Sequence, residues 1–253
     1  MYTSGGRHCL HRALYAGARL AVLVALCLAA GCQGTGNAPA DGSSSTVDTV
    51  APAAPPAPAS APGEQWTVIA DESLLVARVY RAGRLARMGH DHLIATRALH
   101  GTLTLAPVLA DSQVEIRFAK SDLLIDDAAL RARAGPPFDT EVPAEAIEGT
   151  RANLLGPRLL DADQYPMLTV RATAMQGTLA QLLVHASVSV LDRAYPVSFP
   201  VAVTIDSNRL VASGSTRITH ADIGLEPFSV LLGALRVDET IELDYSIVAE
   251  IVE

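Results

Sequence analysis

The sequence from Glu64 onward predicts an all-β fold, an antiparallel eight-stranded β-barrel of lipocalin-like build with one helix at about 143–155 and short irregular segments. Three observations predict it. Apolar and polar residues alternate with period two along most of the segment, which sends successive side chains to opposite faces of a strand. One face of each strand is therefore dry and the other wet, as in an antiparallel sheet curled around an apolar interior. Only one stretch reads clearly as a helix, so the strand–helix alternation of a parallel βαβ protein is missing.

Residues 1–31 read as an export signal. Arg7, Arg12 and Arg19 form a basic leader, and Leu20 to Ala30, "LAVLVALCLAA", is an apolar run too short to span a bilayer. It runs into "LAAGC", Leu28 to Cys32, which looks like a bacterial lipobox. In a lipobox, small residues precede a cysteine that is acylated and becomes the first residue of the mature chain. The departure is Ala29, where Leu is usual. The alternative is an ordinary cleavable signal with a stray cysteine. On the lipoprotein reading Cys32 is the lipidation site, and two or more acyl chains at ~0.8 kcal/mol per buried CH₂ are enough to hold a protein on a membrane. Gln33 follows, where the inner-membrane retention signal would be Asp, so the expected location is the cell envelope, periplasm-facing, with the outer membrane as address.

Residues 32–63 are rich in Pro, Ala, Ser and Gly, have no apolar periodicity, and read as a flexible tether reaching roughly 30 Å as a coil. Residues 64–253 form the expected barrel domain. Cys9 and Cys27 would leave with the signal and Cys32 would carry lipid, which leaves the domain no thiol for a disulfide, a metal or a nucleophile. The formal charge of -8 and the lack of a basic stripe exclude nucleic acid as a partner, since phosphate binding needs that electrostatic contribution.

The strands follow in order. "QVEIRF" sets Val114, Ile116 and Phe118 against Glu115 and Arg117. Pro143 opens the helix, Glu145 and Glu148 fall early in it, and Gly156-Pro157 stops it. "VHASVSV" sets Val184, Ala186, Val188 and Val190 against His185, Ser187 and Ser189. "YPVSFPVAVTI" puts Tyr195, Val197, Phe199, Val201, Val203 and Ile205 on one face. "EPFSVLLGALR" reads as a second short helical or irregular piece. The last strand sets Ile241, Leu243, Tyr245, Ile247, Ala249 and Ile251 against Glu242, Asp244, Ser246 and Glu250.

Several stretches between Trp66 and Glu253 resemble the YceI-like family of secreted bacterial proteins. They are "WTVIADESLLVARVYRAGRLARMGHDH", "LIDDAALR", "GTRANLL" before "LLDADQYP", "SGSTRIT" and "IGLEPFSVLLGALRVDETIEL". The resemblance implies an antiparallel barrel that holds a polyisoprenoid or a similar long-chain lipid, such as an isoprenoid quinone, for carriage or storage. Some relatives pair as dimers, so a homodimer is among the assemblies it implies. It carries over no catalytic residue and no cofactor other than the bound lipid. No Gly-x-Ser-x-Gly elbow, Walker loop, His-Glu-x-x-His helix or dinucleotide turn is present, and no enzymatic activity is expected.

The expected lipid contacts are the dry faces: Val114, Ile116, Phe118, Leu168, Val170, Val197, Phe199, Val201, Leu243, Tyr245 and Ile247. Phe228, Leu231 and Leu232 are expected to cover one barrel mouth. Apolar alternation alone leaves open whether the interior is a pocket or a packed core. Arg151 has two readings, a polar-head ligand at the mouth or a helix-surface partner of Glu148 at i, i+3. Asp126 and Asp127 near Arg131 read as a solvated turn.

"GHDH", Gly89 to His92, is the stretch most suggestive of chemistry. On a strand, His90 and His92 share one face and Asp91 points to the other. Three readings stand: a structural role, a polar fixture at the barrel mouth, or part of a metal site. The last supports an alternative function, a metal- or stress-responsive envelope protein using His90 and His92, with His220 or Asp222 as further ligands. Two imidazoles fall short of the three or four ligands that zinc requires.

Overall fold

The computed structural model describes residues 63–252. The signal segment 1–31, Cys32 and the tether up to residue 62 lie outside the described residues. Twelve strands and two helices are present among them. In chain order they are β1 (Glu64–Val68), β2 (Leu74–Ala82), β3 (His92–Thr96), β4 (His100–Leu105), β5 (Gln113–Ala119), β6 (Leu124–Ile125), α1 (Ala128–Ala134), α2 (Ala144–Leu155), β7 (Met167–Thr178), β8 (Gln181–Ser189), β9 (Ala194–Asp206), β10 (Arg209–Thr219), β11 (Ser229–Val230) and β12 (Leu235–Ile251).

Eight of these close into the predicted antiparallel barrel. The ring runs β1-β4-β5-β7-β8-β9-β10-β12 and is sealed where Trp66 to Val68 of β1 pair with Ile251 to Ala249 of β12. β12 can do this because it has 17 residues. On one side it pairs with β10 from Thr240 to Glu250. On the other its C-terminal end meets β1, while Arg236 to Ser246 pair with β2, which leads on to β3 and β6.

The alternation follows the predicted phase in the long strands. In β8 Leu182, Val184, Ala186 and Val188 are buried, and in β9 each odd-numbered residue from Tyr195 to Val203 is less exposed than its even-numbered neighbours. Two strands carry bulges. In β7 the pairing skips between Ala172 and Ala174, and the extra residue changes the phase so that Met175 is buried. In β12 the register shifts between Val237 and Ile241, and both residues line the inner wall.

The β2–β3 segment does not alternate, because both of its faces are covered. Leu75, Ala77, Val79, His92 and Ile94 look inward. Val76, Leu93 and Ala95 look outward and are buried with Leu130 of α1 and Phe138. α1 is a helix beyond the one predicted. The Asp127 carboxylate caps it by accepting from the Leu130 N–H at 2.9 Å, and Gly135 ends it at φ 68°. α2 lies where the sequence predicts, between Pro143 and Gly156. The "EPFSVLLGALR" piece, expected to be short helical or irregular, is a hairpin in which β11 pairs with β12 through a single 3-10 turn at Leu231–Gly233.

Gly224 takes φ +73° between β10 and β11, with the Tyr195 ring where a Cβ would stand. Gly224→Ala should therefore lower stability by about 1–2 kcal/mol, read as a shift in the urea midpoint at unchanged slope.

Candidate functional site

The barrel holds a cavity of about 440 Å³. One wall comes from β5, β7, β8 and β9 and carries Ile116, Phe118, Leu168, Val170, Val197 and Phe199. The facing wall comes from β12, β2 and β3, including Leu243, Tyr245 and Ile247. Thr150, Asn153 and Leu154 of α2, Thr216 and Ile218 of β10, and Phe228 near β11 add to the lining. Trp66, Leu103, Leu210 and Ala249 belong to a buried core that fills the barrel beside the β1–β12 seam.

Four of the expected residues lie elsewhere. Val114 and Val201 pack against a separate cluster of Met175, Leu182, Val184 and Ala186. Leu231 is 61% exposed and Leu232 is fully exposed at the hairpin turn, so neither covers the mouth; Phe228 does line the cavity. The reason is backbone geometry: Leu231 and Leu232 sit at φ 52° and 54°, which turns both side chains out. Arg151 lines nothing. Its Nη2 donates to the Leu123 carbonyl at 2.9 Å, in place of the pairing with Glu148, and so ties α2 to β6.

Both histidines line the cavity, with ring centroids 6.3 Å apart. Only His92 is on a strand; His90 precedes β3, outside any regular element. Asp91 does point away, and accepts from the Arg81 N–H at 2.9 Å. His92 Nδ1 lies 2.7 Å from Asp126 Oδ2, and Thr150 Oγ1 stands 3.5 Å from Nε2.

Asp126 and Arg131 are not a solvated turn. Their side chains are 0% and 6% exposed. Asp126 Oδ1 accepts from the Leu93 N–H at 2.9 Å and from Arg131 Nη1 at 2.5 Å. Arg131 also donates to the Asp91 carbonyl at 2.8 Å and to the Thr140 carbonyl, and its guanidinium lies 5.7 Å from the Phe138 ring centre. Burial alone would raise the Asp126 carboxyl, but hydrogen bonds from His92, Leu93 and Arg131 outweigh it and hold the group below the ordinary aspartate range. The ionised carboxylate makes Nδ1 the donor of His92. This network fixes the start of β3 and the turn into α1, and so orients His92 at the cavity wall.

Lys120 escaped the sequence reading, and His220 entered it only as a candidate metal ligand. Lys120 is fully buried and donates from Nζ to the Val190 carbonyl at 2.6 Å and the Leu160 carbonyl at 2.7 Å. Burial pushes this ammonium below the usual lysine range. It pins the loop after α2 to the end of β8, where Leu160 and Val190 both line the cavity. His220, also buried, has Nδ1 3.0 Å from the Glu239 carbonyl and lines the cavity at the same end of the barrel as His92. Neither had a local sequence signal: their partners are carbonyls tens of residues away or across a bulge. On the facing wall the Tyr245 hydroxyl donates to the Pro200 carbonyl, and burial pushes this phenol up to about 12.

Among the described residues no three His, Cys, Asp or Glu side chains converge as a metal site would require. The fold and cavity thus define a class: a closed antiparallel barrel built around an apolar container with a polar rim.

The YceI-like domain matches residues 97–249, and the chain belongs to that family. No curated protein matches the sequence. Among solved structures the chain is similar to Burkholderia cenocepacia BcnA, with 14% identity, a TM-score of 0.52, and 72% of this chain and 98% of that one covered. A polyisoprenoid binding domain from Saccharophagus degradans, implicated in plant cell wall breakdown, is 13% identical at a TM-score of 0.47, covering 74% and 98%. The Campylobacter jejuni YCEI protein is 9% identical at 0.44, covering 61% and 82%.

Proposed function

We propose that this protein is a lipid-anchored envelope protein that carries or stores a long-chain apolar lipid, a polyisoprenoid or isoprenoid quinone, in the barrel lumen, and that it is a binding protein, not a catalyst. The observation that carries this reading is the cavity itself. At about 440 Å³ it falls in the ~300–1,000 Å³ range of ligand pockets. Its walls are mostly Val, Ile, Leu, Ala and Phe, so a hydrocarbon chain gains ~0.8 kcal/mol for each CH₂ it removes from water. No partner charge is needed for that. The polar rim of His90, His92 and His220 suits a head group held at the mouth while the tail lies inside.

Organic extraction of the protein purified from its own host, followed by mass spectrometry, tests the reading. A stoichiometric long-chain isoprenoid is expected. An empty lumen that also fails to take up a fluorescent isoprenoid would sink it. The anchor is tested separately: Cys32→Ala should move the protein from the membrane pellet to the soluble fraction, and unchanged fractionation would count against lipidation.

A further inference from the structure

The turn between β2 and β3 and the turn between β11 and β12 lie side by side. The Leu85 N–H donates to the Ala234 carbonyl at 2.8 Å, and Gly83 at φ +91° lets the two backbones approach. Together the turns expose three large apolar side chains, Met88, Leu231 and Leu232, at 62%, 61% and 108%. Water-facing leucines on left-handed backbone are doubly unfavourable, in hydration and in φ, and such strain persists where the surrounding structure enforces it. The same turns form the cavity rim, since Gly89, His90, Val230 and Leu235 line it.

Exposed arginines stand next to these apolar tips. Arg84 and Arg87 lie in the first turn, exposed and in no ion pair among the described residues. Arg158, also exposed, places its guanidinium 5.0 Å from the Phe228 ring centre and lies 3.4 Å from the Ser229 carbonyl, so it borders the second turn. Glu239 is paired with Arg236 at 3.5 Å, Asp238 accepts from the Thr240 N–H at 3.0 Å, and Glu226 lies on the approach to β11. This set of three exposed arginines flanks the apolar tips in a chain of net charge -8. It matches an interface with hydrocarbon at its centre and anionic phosphate around it.

We propose that the paired turns bearing Met88, Leu231 and Leu232, ringed by Arg84, Arg87 and Arg158, dock on an anionic lipid bilayer so that the cavity mouth faces the membrane. The leucines enter the acyl-chain boundary and the arginines meet the lipid phosphates. A lipid tail then passes between bilayer and lumen without crossing bulk water. The inference rests on the carriage reading for its purpose, and its test separates the two.

The full chain carrying Leu232→Trp supplies the probe, because the native Trp66 is fully buried and serves as a constant reference. With phosphatidylethanolamine–phosphatidylglycerol vesicles the new indole should shift to the blue and be quenched by lipids brominated high in the acyl chain. Adding Leu231→Ser, or Arg84→Glu with Arg87→Glu, should lower that quenching by about twofold or more. An unchanged urea unfolding midpoint shows that these variants are folded. Emission that stays water-like with vesicles present overturns the proposal. So does a blue shift without vesicles that grows with protein concentration, which would assign the tips to a second copy of the chain. Insertion with an empty lumen would defeat carriage alone, and a filled lumen without insertion would defeat docking alone.

Discussion

Replacing Arg131 by Ala lowers the stability of the barrel by about 3–5 kcal/mol, the range expected when a buried ion pair loses one partner. The Asp126 carboxylate is fully buried, and without the guanidinium it keeps only His92 and the Leu93 N–H as donors. At this chain length the loss corresponds to roughly 10 °C in Tm. Calorimetry or urea unfolding checks it. The double variant Asp126→Asn with Arg131→Met should be less destabilised than the sum of its parts by ~1–3 kcal/mol, because removing both charges leaves none stranded. An additive pair would mean that the charges do not act together.

The same carboxylate gives stability a pH dependence of known sign. Its folded value is held below the ordinary 3.8, so the unfolded chain takes up a proton first as pH falls. The contribution is complete above the ordinary aspartate value and is lost as pH drops below it through the depressed folded value. Wild-type stability should therefore fall more steeply than that of Asp126→Asn below about pH 4. Parallel curves would place the ionisation elsewhere.

Why this network was illegible while β9 was plain follows from where the partners lie. Val197, Phe199 and Val201 alternate with Pro196, Ser198 and Pro200, and that pattern needs no knowledge of neighbours. Asp126, by contrast, looks like one acid of a polar pair until β3 brings His92 and Leu93 against it from more than thirty residues away. The β2–β3 wall was missed for a related reason. A strand buried on both faces shows no alternation, so Leu75, Ala77 and Val79 gave no periodic signal although they line the cavity as fully as Leu243 does.

Bulges and turns account for most of the rest. Met175 cannot be placed by counting from Leu168, because the extra residue near Thr173 exchanges inside for outside. The Thr173 hydroxyl marks the spot by donating to the His185 carbonyl of β8 at 3.1 Å. Leu231 and Leu232 read as mouth-covering hydrophobes because composition reports polarity, whereas their direction is set by φ. The apolar character of the contact residues was thus readable, but the division between lumen, packed end and outer tip depends on geometry that a period-two count does not carry.

Filling the lumen gives the second large effect. Val170 projects into the middle of the cavity wall between Ile116 of β5 and Val188 of β8, while Arg171, one residue on, pairs with Glu115 on the outer surface. Val170→Trp places an indole in space that a lipid tail would occupy, so uptake of a fluorescent isoprenoid should fall by about a hundredfold, or ~2.8 kcal/mol. Stability should change little, because overpacking is costly in a filled core and not in an open cavity. Arg171→Trp adds the same ring to the outer face and should leave uptake unchanged. The pair separates the two readings that apolar alternation left open. If the interior were a packed core, Val170→Trp would unfold the barrel; if it is a container, the barrel stays folded and loses its capacity. Equal loss of uptake in both variants would remove the lumen from the account of binding altogether.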